Sequence, residues 1–293
     1  MKIPFAKLIL IFLFVCSCCI KGSAQNNLLD SSRHPYKINY WLDGSIAGVG
    51  GVTNYLGILP IVRKKEISIT EFQNLNRDII PGFDRWALNL DPTQVSKYNT
   101  YTDITLVLCM AAPAGLALNK SIQKDWGKLL VMYLETMSVV SNIYTQSFIG
   151  PAFQSKFRPV VYYDALPYSQ RNDGNNRNSF YSGHVATAAA ATFFMVKVYS
   201  DYHPEIGGTK YWLYAAASVP PLVLGYFRIK ALRHFPSDVM TGFMIGAATG
   251  IIIPELHRIK LKNKDLSLGL SSTGDWAGLS LKWQPGLSKS LKN

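Results

Sequence analysis

The chain has 293 residues, 48% of them hydrophobic and only 16% charged, and its 30 Lys and Arg outweigh 18 Asp and Glu to give a net charge of +12. The charged fraction lies well under the roughly 25% of an average soluble domain, and the basic balance suits anionic partners. No nucleic-acid motif and no basic face interleaved with aromatics is present, so nucleic acid is excluded as the expected partner, leaving phosphorylated small molecules and anionic lipid surfaces.

Residues 1–24 read as a secretory signal peptide: Lys2 and Lys7, an apolar run over residues 8–20, then Gly22-Ser23-Ala24 as the cleavage region. A lipoprotein cleavage before Cys18 is the alternative. Removing Lys2, Lys7 and Lys21 still leaves 12 − 3 = +9. Three of the four cysteines fall in this leader, so Cys109 has no intrachain partner and reads as a small buried hydrophobe.

Residues 25–100 form an N-terminal envelope segment with one Gly-rich apolar stretch, residues 45–62. Apolar stretches then recur at residues 104–118, 129–149, 185–199, 211–227 and 239–254, none with 18 uninterrupted apolar residues. They predict an all-α fold, an antiparallel bundle of about five to six apolar helices whose catalytic part covers residues 101–256, with a membrane setting favoured over a soluble one. Residues 257–293 form a basic tail in which residues 266–283 alternate apolar and polar around Gly274-Asp275, the pattern of a small β-hairpin.

Three polar clusters sit at helix edges: Lys156-Phe157-Arg158-Pro159; Ser179 to His184; and Arg228, His234 and Asp238. Counting antiparallel crossings places all three on one face. Ser182 is a good N-cap and Gly183 lets backbone amides approach an anion. Arg158 and Arg228 offer forked donors for phosphoryl oxygens. Asp238, four residues after His234 at a helix start, is placed to orient one imidazole nitrogen and leave the other free as a nucleophile. His184 is then the expected general acid. The set needs no metal.

These motifs resemble the type 2 phosphatidic acid phosphatase and vanadium-dependent haloperoxidase superfamily, in its membrane-associated lipid phosphatase branch. Arg158-Pro159 matches the end of its first motif. Ser182-Gly183-His184 matches the second, with Tyr181 in place of Pro. Arg228, His234 and Asp238 match the spacing of the third, with Phe227 in place of Ser. The resemblance implies a metal-independent phosphatase acting on lipid phosphate monoesters or diphosphates through a phosphohistidine. In it His234 is the nucleophile, Asp238 its partner, His184 the acid, and Arg158, Arg228, Ser182 and Gly183 the phosphate holders. No cofactor is implied, although vanadate can occupy such a site as a phosphate mimic. A weakly active or non-catalytic phosphate-ester binder and a vanadate-dependent haloperoxidase are the alternatives. One departure stands out: Pro151 occupies the position where the first motif has Lys, and Lys156 is the substitute cation expected from the sequence. The expected location is the inner membrane of a bacterial envelope with a periplasm-facing site, which requires residues 45–62 not to cross. A soluble periplasmic or outer-membrane-associated protein is the alternative.

Overall fold

Six long helices carry the chain in the computed structural model, which describes residues 34–262, 266–273 and 276–283; the expected signal peptide lies outside these residues. They are α1 (Tyr40–Val62), α2 (Val95–Ala111), α3 (Trp126–Gln146), α4 (Gly183–Tyr202), α5 (Lys210–Lys230) and α6 (Pro236–Lys262). The fold is all-α, as the spacing of apolar stretches predicts. Beyond it, the strands β1 (Leu266–Thr273) and β2 (Trp276–Trp283) pair antiparallel, Leu266 opposite Trp283.

Local signals set the helix ends. Asn39 caps α1, its side chain accepting from the amides of Trp41 and Leu42. Helix α2 starts well before its apolar run and passes into a 3-10 segment, Ala112–Leu118, with Pro113 at its start. Helix α5 continues through Pro220 and Pro221. It ends on Leu232, which adopts a positive φ of 55°. There the amide of Leu232 bonds the carbonyl of Ile229, and the amide of Arg233 bonds that of Arg228 at 3.1 Å. This is the Schellman arrangement, here built on Leu rather than the usual Gly.

Small residues set the closest packing. A Cβ on Gly242, Gly246 or Gly250 of α6 would lie 2.4, 2.1 and 2.4 Å from the backbone oxygens of Ser182, Ala186 and Ala190 on α4. Both rows repeat every four residues, so α4 and α6 run parallel with their backbones nearly touching. Helix α1 lies parallel to α3 in the same way: a Cβ on Gly50 would meet Ser138 and one on Gly57 would meet Gln146 and Thr145. Thr53 donates to Asn142 Oδ1 at 2.8 Å, and Gln146 donates to the Thr53 carbonyl. The doubtful apolar stretch 45–62 is therefore a full member of the bundle, running alongside α3.

Buried polar groups tie the end of the bundle at which α1 and α3 begin. His257 of α6 bonds Glu135 of α3 at 2.8 Å through Nε2, and its Nδ1 lies 3.2 Å from the Lys37 carbonyl and 3.8 Å from Asp43 Oδ2. Two carboxylates and an imidazole are metal-ligand chemistry, but here the ring sits between the acids as their partner and so links α1, α3 and α6. Lys197 of α4 joins Asp201 and Glu255, extending the tie.

Large apolar side chains remain on the outside, among them Trp41, Val49, Val52, Val107 and Trp212. Three segments are long and apolar enough to cross a membrane by length and composition: Tyr40–Val62, Pro92–Leu118 and Pro236–Arg258.

Gly246→Val places a side chain into the Ala186 carbonyl. Overpacking of this kind costs about 1–3 kcal/mol, more where the backbone cannot yield. Thermal unfolding of the purified protein in detergent should shift down by several degrees, whereas Gly51→Ala, with open space around its Cβ, should change little.

Candidate active site

The C-terminal ends of α1, α3 and α5 meet the N-terminal ends of α2, α4 and α6 around a cavity of about 610 Å³. Arg158, Gly183, His184, Arg228 and His234 line it, so five of the eight sequence-derived site residues share one wall. The helix count expected from the sequence put three clusters there. The structure brings them together with two further helices.

His234 follows the α5 turn and is buried to 1% exposure. Its Nδ1 lies 2.7 Å from the Ser179 carbonyl, which can only accept, so Nδ1 carries the proton. Nε2 is left with its lone pair, 3.3 Å from Arg228 Nη2. Burial first, then the charges of Arg228 and Arg158, hold the His234 pKa well below that of an ordinary histidine. The ring is therefore neutral, the form in which an imidazole nitrogen keeps a lone pair.

Asp238 was expected to hold His234 directly, and here the geometry differs. Its Oδ2 accepts from Ser179 Oγ at 2.6 Å and from the Phe235 amide at 2.9 Å, while Oδ1 accepts from Lys156 Nζ at 2.7 Å. Asp238 acts one residue removed: it fixes Ser179, and Ser179 fixes the imidazole. It also closes the first turn of α6, with Pro236 at the first helical position.

Lys156, expected as the substitute phosphate cation, is spent on the same carboxylate. Its Nζ reaches Asp238, Ser237 Oγ at 3.2 Å and Asp84 at 3.5 Å, and it is not among the cavity-lining residues. The reason is charge: Asp238 is fully buried, and Lys156 is the cation that compensates it.

Ser182 also sits behind the wall. Its amide donates to the Asp238 carbonyl at 3.0 Å, and its buried Oγ has no hydrogen-bond partner among the described residues. The helix-start amides facing an anion are therefore those of Gly183 and His184. Gly183 packs on the Tyr144 ring, where an added Cβ would lie 3.0 Å from a ring carbon.

Arg158 and Arg228 are each 6% exposed and have an unpaired buried Nε among the described residues. Burial, and after it the nearby charge of Arg233, lower the Arg158 pKa to about 10. It stays charged near neutral pH, and such a cation suits an anion that brings its own oxygens.

Several residues were missed by sequence reasoning. Asp84 accepts from the Ser237 amide at 2.8 Å and Ser237 Oγ at 2.6 Å, capping α6 from 153 residues away. Ser179 lies within a motif cluster but carries no motif role. Tyr144, Asn99 and Arg233 line the cavity from positions without a recognisable pattern.

Residues 129–261 match the family model described as the PAP2 superfamily. The chain is also 33% identical over 138 residues, 47% of its length, to a lipid A 1-phosphatase of Porphyromonas gingivalis, and it spans about a quarter of that relative. No solved structure matches.

Lys156→Met should separate the two roles considered for this lysine. Leaving the buried Asp238 oxygen unpaired costs about 1–3 kcal/mol, read as a lower melting temperature. The dissociation constant for orthovanadate, by calorimetry, should stay within about twofold, because the ammonium does not face the cavity; a large loss would restore Lys156 as a clamp.

Proposed function

We propose, from the match of residues 129–261 to the PAP2 superfamily model and the geometry of the cavity, that the protein is a metal-independent lipid phosphatase working through a phosphohistidine. The observation that carries the reading is the His234 ring: Nδ1 held by a main-chain carbonyl, Nε2 free at the cavity beside Arg228. In the proposed first step the anionic substrate binds with His184 protonated, Nε2 attacks phosphorus, the bond to the ester oxygen breaks, and His184 gives that oxygen its proton. In the second, His184 takes a proton from water, the water oxygen attacks phosphorus, and inorganic phosphate leaves with His234 restored. Arg158, Arg228 and the amides of Gly183 and His184 bear the charge on the non-bridging oxygens.

A lipid substrate is supported by the walls. The lining mixes apolar Ile58, Ile61, Val62, Leu106 and Val140 with polar Asn54, Asn99, Ser141, Thr145 and Asn175. Such a cavity fits a phosphate on a headgroup rich in hydroxyls or amides with an apolar body attached. The 1-phosphate of a lipid A-type molecule, named in the relative, has that character.

Phosphate release from lipid A, phosphatidate, an isoprenyl diphosphate and a chromogenic ester tests the reading. His234→Ala should lower release by about 10³-fold or more. His184→Ala with the chromogenic ester, whose leaving group needs no acid, should accumulate an acid-labile phosphoenzyme. Undiminished release by His234→Ala would overturn the mechanism.

The exposed apolar faces support a membrane setting, and α1 bears on orientation. The periplasm-facing site was expected only if the stretch 45–62 did not cross. With α1 running alongside α3, an exported N-terminus and a periplasmic site exclude one another. Were all six helices to cross, residue 34 and Gly207 would lie on one side and Gly174 on the other. Reporter fusions should show Gly174 opposite to the other two; agreement of residue 34 with Gly174 would remove α1 from the membrane.

A further inference from the structure

We propose that Arg233 is a third phosphate-binding residue and fills the role of the motif lysine replaced by Pro151. The proposal rests on the phosphatase reading of the same cavity.

Position comes first. The turn at Leu232 bonds the Arg233 amide to the Arg228 carbonyl, so both arginines and His234 emerge at one corner. In most turns of this kind an apolar contact closes the two positions that here are Arg228 and Arg233. Two cations at that place cost stability and serve nothing in packing. Arg233 lines the cavity, and its Nε donates to Asn99 Oδ1 of α2 at 3.2 Å. Its two Nη groups have no protein partner among the described residues, which leaves a forked donor pair for oxygens.

Charge is the second argument. Arg158, Arg228 and Arg233 line the cavity with a single carboxylate, Asp103. Three positive charges less one negative leave two, with His234 neutral. A phosphate monoester carries about −1.5 to −2 near pH 7, a charge that the three arginines and Asp103 together match. Lys156 adds nothing to that balance, because it is paired with Asp238.

The third is elimination within the matching motif. Lys230, the other basic residue between Arg228 and His234, lies over the Tyr226 ring at 5.7 Å and outside the cavity lining. It supplies the control.

The test uses the full-length protein in detergent with orthovanadate and inorganic phosphate as probes, beside turnover of the chromogenic ester. Arg233→Gln should lower kcat/KM by roughly 10²–10³-fold and weaken orthovanadate binding by about tenfold or more. Arg233→Lys should recover part of both, and Lys230→Ala should match wild type. If Arg233→Gln does not fold, Arg233→Lys and Asn99→Ala carry the same two readouts, each expected below wild type. Unchanged oxyanion affinity and turnover in the folded variants would overturn the proposal. His234→Ala keeps the two readings apart. An inactive His234→Ala with a wild-type-like Arg233→Gln sinks Arg233 alone, whereas a fully active His234→Ala sinks the phosphohistidine.

Discussion

The closeness of α4 to α6 is the constraint on which the site depends. Gly242, Gly246 and Gly250 let one backbone lie against Ser182, Ala186 and Ala190. This contact has little side-chain area to bury, so its strength comes from dispersion between closely packed backbones. Its consequence is local: the Ser182 amide reaches the Asp238 carbonyl, and the helix start that carries His184 is joined to the one that follows His234. Two residues 50 positions apart in the chain thereby share a wall without a direct bond between them.

A second requirement pulls against the first. The cavity collects guanidinium groups in a setting where burial penalises charge, and Arg158 and Arg228 lack carboxylate partners among the described residues. Stability lost there is offset elsewhere: by the acid–lysine set of Asp84, Asp238 and Lys156 behind the wall, and by the tie of His257 with Glu135 toward the far end. Function and support are separated by charge sign, with cations facing the cavity and anions held behind it. An oxyanion entering such a site also stabilises the folded state by mass action.

Much of this was legible in the sequence. The six apolar stretches became six helices, and His234 and Arg228 of the third motif line the cavity. The rest was hidden for physical reasons. The partner of the His234 ring is a carbonyl, and every residue has one, so no pattern of side chains could single out Ser179. Asp84 caps a helix start 153 residues away, a pairing made by tertiary folding alone. Arg233 reads as a loop cation until the turn at Leu232 is seen, because a leucine there gives no sign of the left-handed conformation that glycine would announce. The pairing of Lys156 was hidden for a related reason: its charge was visible, but the buried Asp238 that it meets was not known to be near.

The bond from His234 to Ser179 bears on how this site tolerates change over evolutionary time. His234 takes its tautomer from main chain, which no substitution at position 179 deletes. The side chain there is free to drift as far as the Asp238 contact allows, and the ring still finds its acceptor. Fragility is transferred to the groups that hold the strand of main chain in place, namely Asp238 and, behind it, Lys156 and Asp84. Loss of function by drift would therefore begin in the supporting layer, in residues that never touch a substrate, while the motif itself still looked intact.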